Sequence, residues 1–158
     1  MKNNNRIAIV GAGVAGIVLA ILATKQGYQV SLYERDSKIS SIGAGVTLWP
    51  NAIFVLQQMG LKREIKRMGG VPSCIRQFDQ YGVQQGKFNI EDVNTLSGFP
   101  SVSILRHDLM GILAKALNDL GVQIHFNCPM TAQDIDALKH AVSKVNPSLT
   151  SFETSCFN

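Results

Sequence analysis

Arg6 is followed by Ile7, Ala8, Ile9 and Val10, a short unbroken apolar run of the kind that forms a strand in a parallel sheet covered on both faces. The apolar pattern resumes at Val14 and runs to Gln26, which predicts a helix stopped by Gly27, a residue able to take the left-handed conformation that ends helices. From Gln29 to Glu34 the chain alternates: Val30, Leu32 and Glu34 share one face of a second strand, and Ser31 and Tyr33 the other. Strand, glycine turn, helix and strand open a doubly wound α/β fold.

A polar loop, Asp36 to Ser41, leads to Gly43-Ala44-Gly45 and the short run Val46 to Trp49, with Pro50 where a helix begins. Ile53, Leu56 and Met59 give that helix its apolar side, and Gly60 ends it. Leu61, Ile65 and Met68 predict a second short helix before Gly69-Gly70. Ser73 to Asp79 and Gln84 to Ile90, joined across Gln80-Tyr81-Gly82, predict a β-hairpin. Ser101 to Leu105 is a strand candidate. After it Leu109, Ile112, Leu113, Ala116, Leu117 and Leu120 keep helical spacing as far as Gly121. Val122 to Phe126 predicts the next parallel strand, and Ile135 to Val145 one short helix before a Ser/Thr-rich end. Trp49 and Phe54 are expected in the core, and Tyr33 between sheet and helix.

The 158 residues carry a net charge of +4 and are 46% apolar, which excludes a disordered, collagen-like or disulfide-scaffold chain and suits one domain or a piece of a larger one. The tightest basic cluster, Lys62, Arg63, Lys66 and Arg67, is split by Glu64 and reads as a solvated helix face rather than a nucleic-acid site. Cys74, Cys128 and Cys156 form no CxxC pair, and His107, His125 and His140 do not join them at metal-ligand spacing, so neither a zinc site nor a disulfide framework is expected. Widely separated thiols in odd number suit a cytoplasmic location. The uncharged stretch Ile7 to Thr24 could pass for a signal peptide or a membrane span. Glycines at 11, 13 and 16, the lack of an A-x-A cleavage pattern and the strand that follows argue against both.

Gly11-Ala12-Gly13-Val14-Ala15-Gly16 is a complete G-x-G-x-x-G between a strand and a helix. The first glycine permits the tight turn, the second lets backbone N–H groups approach a pyrophosphate, and the third lets helix and strand pack closely. Glu34 lies 23 residues after Gly11, at the end of the second strand, where a carboxylate accepts hydrogen bonds from a ribose and repels the extra phosphate of NADP. Together they predict a site for the ADP half of FAD or NAD.

Three further blocks choose between these cofactors. They are Val30-Ser31-Leu32-Tyr33-Glu34-Arg35, the run from Gly43 through Thr47 and Pro50 to Ala52, and Leu105-Arg106-His107-Asp108-Leu109. In order and spacing they resemble the FAD-dependent monooxygenases of the p-hydroxybenzoate hydroxylase type, such as salicylate, hydroxybenzoate and urate hydroxylases, over roughly residues 6 to 131. The resemblance implies a Rossmann-like parallel sheet of the glutathione reductase-like, FAD-binding type, with a small β excursion at 71–105. On this reading 1–131 form the N-terminal part of the FAD-binding domain, and 132–158 a divergent, partly disordered tail.

The resemblance also implies roles. Gly11, Ala12, Gly13, Val14, Ala15 and Gly16 would hold the FAD pyrophosphate, and Glu34 the adenosine ribose, with Arg35 beside it. Gly45, Val46 and Thr47 would lie toward the flavin, Arg106 would reach the ribityl or phosphate region, and the backbone near Met130 would border the adenine. Arg35 reads equally well as a solvated loop charge. Arg106 could be a surface cation, but a helix N-terminus disfavours a cation unless an anion also binds there. No carboxylate pair, Ser/His/Asp set or Cys/His dyad stands out, so no catalytic residue is assigned; that suits a protein whose hard chemistry belongs to its cofactor.

In the family as the resemblance implies it, NADH or NADPH reduces FAD, and one atom of O2 passes to a small, often aromatic, substrate. Its members are more than twice this length and carry an Asp-Gly strand end and a Gly-Asp segment that have no counterpart after Arg106. The expectation is therefore an N-terminal portion whose first strand lacks a neighbour on its other edge, an arrangement that favours self-association. Other readings are a related flavoprotein (epoxidase, halogenase or reductase), a non-catalytic FAD- or NAD-binding remnant, and a free-standing NAD module. The Gly43 to Ala52 block and Arg106 argue against the last.

Overall fold

The computed structural model describes residues 6–40, 43–131, 133–134 and 136–137. Strand β1 (Arg6–Val10) leads through the glycine turn into helix α1 (Val14–Lys25), and β2 (Gln29–Tyr33) returns parallel to β1 with Ile9 opposite Leu32. Gln26 caps α1 and Gly27, at φ 87°, turns the chain. Helix α1 packs against β1, β2 and a second helix; Ile17, Ala20 and Ile21 are fully buried, while Leu19 on its outer side is 52% exposed.

That second helix, α5 (Arg106–Asp119), buries Leu109, Met110, Leu113 and Leu117 along one stripe and lies against α1. It feeds β7 (Ile124–His125), which pairs parallel with β2 to complete a sheet of order β1-β2-β7. The strand expected over Val122 to Phe126 is thus shorter. Val122 is still bonded back to Leu117 of the helix turn, and Asn127 at φ 56° turns the chain away at the other end. The outer edge of β1 carries no strand among the described residues, and Val10 at its end is 49% exposed.

Between these halves, β3 (Gly45–Leu48) pairs antiparallel with β6 (Val102–Leu105). Val102 and Ile104 are buried against the core, while Gly45, Thr47, Ser103 and Leu105 form an open outer face. Helices α2 (Pro50–Gln58) and α3 (Lys62–Met68) follow β3, and the Lys25 ammonium donates to the Met59 carbonyl at 2.6 Å, tying the end of α1 to the end of α2.

The hairpin of β4 (Cys74–Phe78) and β5 (Gln84–Asn89) lies where the sequence predicts it. The Asp79 carboxylate shapes its turn by accepting from the Tyr81 and Val83 amides, each at 2.9 Å. One element departs from the sequence reading. Helix α4 (Ile90–Ser97) begins where the hairpin strand was expected to end: Asn89 caps it by accepting from the Glu91 amide, Glu91 and Asp92 occupy its first turn, and Gly98 at φ 72° closes it. Asn94 then accepts from both the amide and the hydroxyl of buried Ser101, at 2.7 and 2.8 Å, which anchors the start of β6.

Three aromatic expectations are corrected. Trp49 is 38% and Phe54 47% exposed; each makes an edge contact on the surface, with Phe88 and Phe99 respectively, rather than filling the core. Tyr33 does not lie between sheet and helix. It alternates with buried Leu32 and stacks on His125 of the neighbouring strand, ring centres 5.0 Å apart. Positions 133, 134, 136 and 137 are helical, so a turn starts before the expected Ile135; the rest of that helix and the tail lie outside the described residues. Among the described residues no helix is long and apolar enough to cross a membrane.

Candidate cofactor-binding site

The topology gathers the sequence candidates at one end. Helix α1 leaves β1 and returns to β2, and α5 leads into β7, so both helices run against three parallel strands. Their N-termini therefore lie at the carboxyl edge of the sheet, the place where open α/β sheets bind ligands.

Gly11 sits at φ 97°, a conformation costly for any side chain, and its amide donates to the Tyr33 carbonyl at 2.7 Å. The turn is so tight that a Cβ at Gly16 would fall on the Gly11 carbonyl oxygen. Gly13 differs: it is the exposed cap of α1, at φ −76°, and a Cβ there would meet nothing within 4 Å. Ile17 is the first helix residue whose amide bonds back, to Gly13, so the amides of Val14, Ala15 and Gly16 precede the intrahelical ladder. No acidic residue of α1 itself occupies its first turn, so the positive end of its dipole faces the turn without a side chain of its own to offset it. Free amides, a positive helix end and a cap without a side chain fit a pyrophosphate.

Glu34 joins the two halves of the arrangement. One carboxylate oxygen accepts from the Ala12 amide at 2.6 Å and the other from the Asp36 amide at 3.0 Å. These bonds, the Asp36 amide first, hold the carboxyl below its ordinary range against the opposing effect of burial; the Arg35 amide and charge add to them. The group therefore stabilises the fold above the unfolded pKa near 4.3, and its contribution is lost as pH falls through the lower folded value. We expect Glu34→Gln to lose about 1 to 2 kcal/mol at neutral pH, with the two proteins converging in stability in acid. Urea melts at pH 7 and pH 3 check this; a pH-independent difference would contradict it.

The segment after β7 runs beside the same turn. The Cys128 amide donates to the Glu34 carbonyl at 2.9 Å and the Asn127 amide to the Asp36 carbonyl at 3.1 Å; Met130, two residues further on, is half-buried. Arg35 stays in solvent, its side chain 80% exposed and paired with Asp36 only at 3.9 Å.

Arg106 opens α5, and the Gly43 loop is built on it. Gly43, at φ 138°, lies so close that a Cβ would stand 2.9 Å from the Arg106 Cδ, and the Arg106 amide donates to the Ala44 carbonyl at 3.3 Å. No carboxylate of the described residues lies within 4 Å of this guanidinium. A half-buried cation at the N-terminus of a helix, with no ion-pair partner among the described residues although Asp108 lies in the same first turn, suits an anionic ligand. Arg106→Ala is expected to weaken FAD binding about tenfold or more while leaving the helix no less stable. Equal affinities in a flavin titration would refute the role.

Beyond Arg106, Gly45 and Thr47 stand on the open face of the β3–β6 ribbon, whereas Val46 turns inward. Thr47 shares a hydrogen bond of 3.1 Å with the Ser103 hydroxyl across the ribbon. Ser103 was not among the sequence candidates; alternation along Ser101 to Leu105, paired with that of β3, is the signal that would have found it.

The family profile described as "FAD binding domain" matches residues 4–153. The chain is 30% identical over 138 residues to 6-hydroxynicotinate 3-monooxygenase of Bordetella bronchiseptica, covering 86% of this chain and 36% of that protein. It is 31% identical over 136 residues to 3-amino-4-hydroxybenzoate 2-monooxygenase of Streptomyces cremeus, covering 85% and 34%. Among solved structures it superposes on the tetrameric form of 2-methyl-3-hydroxypyridine-5-carboxylic acid oxygenase with a TM-score of 0.69 at 26% identity, over 79% of this chain and 32% of that one. CtdE in complex with FAD and substrate gives a TM-score of 0.68 at 27% identity, over 78% and 30%. The chain belongs to this FAD-binding domain family, whose matched members are FAD-dependent monooxygenases, and it spans about a third of their length.

Proposed function

We propose that this chain binds FAD at the carboxyl edge of its parallel sheet and is the cofactor-holding part of a monooxygenase that hydroxylates a small aromatic substrate with NADH or NADPH and O2. The observation that carries the reading is the reach of the Glu34 carboxylate to the Ala12 amide, 2.6 Å. It sets a ribose acceptor directly against the pyrophosphate-binding turn. On this reading Gly13 leaves room for the pyrophosphate, the amides of Val14, Ala15 and Gly16 face it, and Glu34 takes the ribose hydroxyls. Met130 borders the adenine and Arg106 offers its charge toward the ribityl end. Gly45 and Thr47 present a flat, partly polar strip toward the ring. FAD supplies the redox chemistry when bound, and the chain orients it.

The aromatic substrate class is supported by the relatives, whose names specify hydroxylated or carboxylated rings. The open β1 edge supports association between copies of the chain. The test is oxidation of NADH or NADPH by the FAD-loaded chain in the presence of aromatic acids. Substrate-stimulated oxidation supports the monooxygenase reading. FAD binding without it would confine the function to cofactor binding.

A further inference from the structure

Ser103 is held from two sides. Its amide donates to the Gly70 carbonyl at 2.8 Å and its carbonyl accepts from the Gly70 amide at 2.9 Å, so its backbone polar groups point away from β3. Thr47 and Ser103 therefore oppose each other as a non-hydrogen-bonded pair of the β3–β6 ladder, the kind in which side chains stand closest. Their hydroxyls meet at 3.1 Å, and neither has another partner among the described residues. Each hydroxyl carries one proton; one is used between them and the other is left for a third group. The next pair along the open face is Gly45 opposite Leu105, which is 60% exposed, so the strip is apolar at one end and carries the hydroxyl pair at the other.

We propose that Ser103 is a positioning residue for the flavin ring, an inference that rests on the FAD reading above: it fixes the Thr47 hydroxyl so that the pair presents one free proton to an acceptor atom of the ring. Threonine on a strand has few side-chain rotamers, and the bond to Ser103 selects among them. Without that bond the Thr47 hydroxyl is free to turn toward water. The flavin ring matches such a strip, because it joins an apolar benzenoid part to a part bearing carbonyl oxygens and unprotonated nitrogens. Ser103 is anchored through its backbone to Gly70, outside β3, so it keeps its place whatever Thr47 does. It acts through Thr47 and is not a catalytic residue.

Ser103→Thr and Ser103→Val differ by one hydroxyl, and both residues suit a strand, so the pair isolates the hydrogen bond from the fold. Flavin titration of the full chain should give the parent affinity for the threonine variant and about fivefold weaker binding for the valine variant. At saturating FAD the visible spectrum of the valine variant should move toward that of free FAD, a change that lost strand stability alone does not produce. In a Thr47→Val background, Ser103→Val should cost less than about twofold, because the group it positions is gone. Unchanged affinity and spectrum in Ser103→Val, or the same fivefold loss in the Thr47→Val background, would overturn the inference and leave the FAD reading standing. A parent chain that takes up no flavin would overturn both.

Discussion

Gly13→Val is expected to leave the fold intact and to lower FAD affinity about a hundredfold, an effect of about 3 kcal/mol. The expectation rests on geometry that separates the two properties. The position caps α1 in an extended conformation, at φ −76° and ψ −177°, that valine adopts readily, and a Cβ added there meets no atom beyond its chain neighbours within 4 Å. Stability should therefore change by less than about 1 kcal/mol. The same space lies in front of the amides of Val14, Ala15 and Gly16, where a pyrophosphate must come within hydrogen-bond distance. Two methyl groups there hold it off. Thermal melts and flavin titrations on one preparation check both halves; an unchanged Kd would mean that the dinucleotide does not lie on this turn.

Gly16→Ala should do the reverse and damage the fold itself. Alanine is the better helix former by about 1 kcal/mol, so propensity alone predicts stabilisation. Against that, the added methyl falls on the Gly11 carbonyl oxygen, a backbone atom held by the left-handed turn and by the Gly11 amide bond to Tyr33. Neither α1 nor β1 can withdraw without opening the contacts of Ile9, Ile17 and Ile21 in the core. A net loss of about 3 kcal/mol follows, at the upper end for an overpacked site, and a fall in Tm of about 10 °C. A variant that melts at or above the parent temperature would show that helix and strand are not in contact at this glycine.

These two glycines also show how much of the site was legible in the sequence. The motif gives both positions, and β1, α1 and β2 follow from the apolar run before Gly11, the uncharged stretch that Gly27 ends and the alternation of Val30, Leu32 and Glu34. What each glycine does differs, however, and only the packing tells Gly13, facing open space, from Gly16, facing a carbonyl. The pairing of β3 with β6 joins Thr47 to Ser103 across 56 residues, and no local pattern carries a partner that distant. Arg106 was visible as a misplaced cation; that its side chain packs against Gly43 was not.

Helix α4 was missed for a different reason. Ile90 looks like the last residue of a hairpin strand, yet Asn89, Glu91, Asp92 and Gly98 are a full set of start and stop signals for eight residues. The burial of Ile90 and the bonds of Asn94 to Ser101 resolve the conflict in favour of the helix. Trp49 and Phe54 were expected in the core and lie at the surface instead. On a chain whose hairpin and ribbon leave open faces, large rings also cover surface.

The central claim, that this chain holds FAD by its own residues, is tested most directly by purifying it with FAD supplied, desalting it, and recording the visible absorption spectrum. Retained flavin, with a spectrum displaced from that of free FAD, is the predicted result. A colourless protein that is nevertheless folded would contradict it.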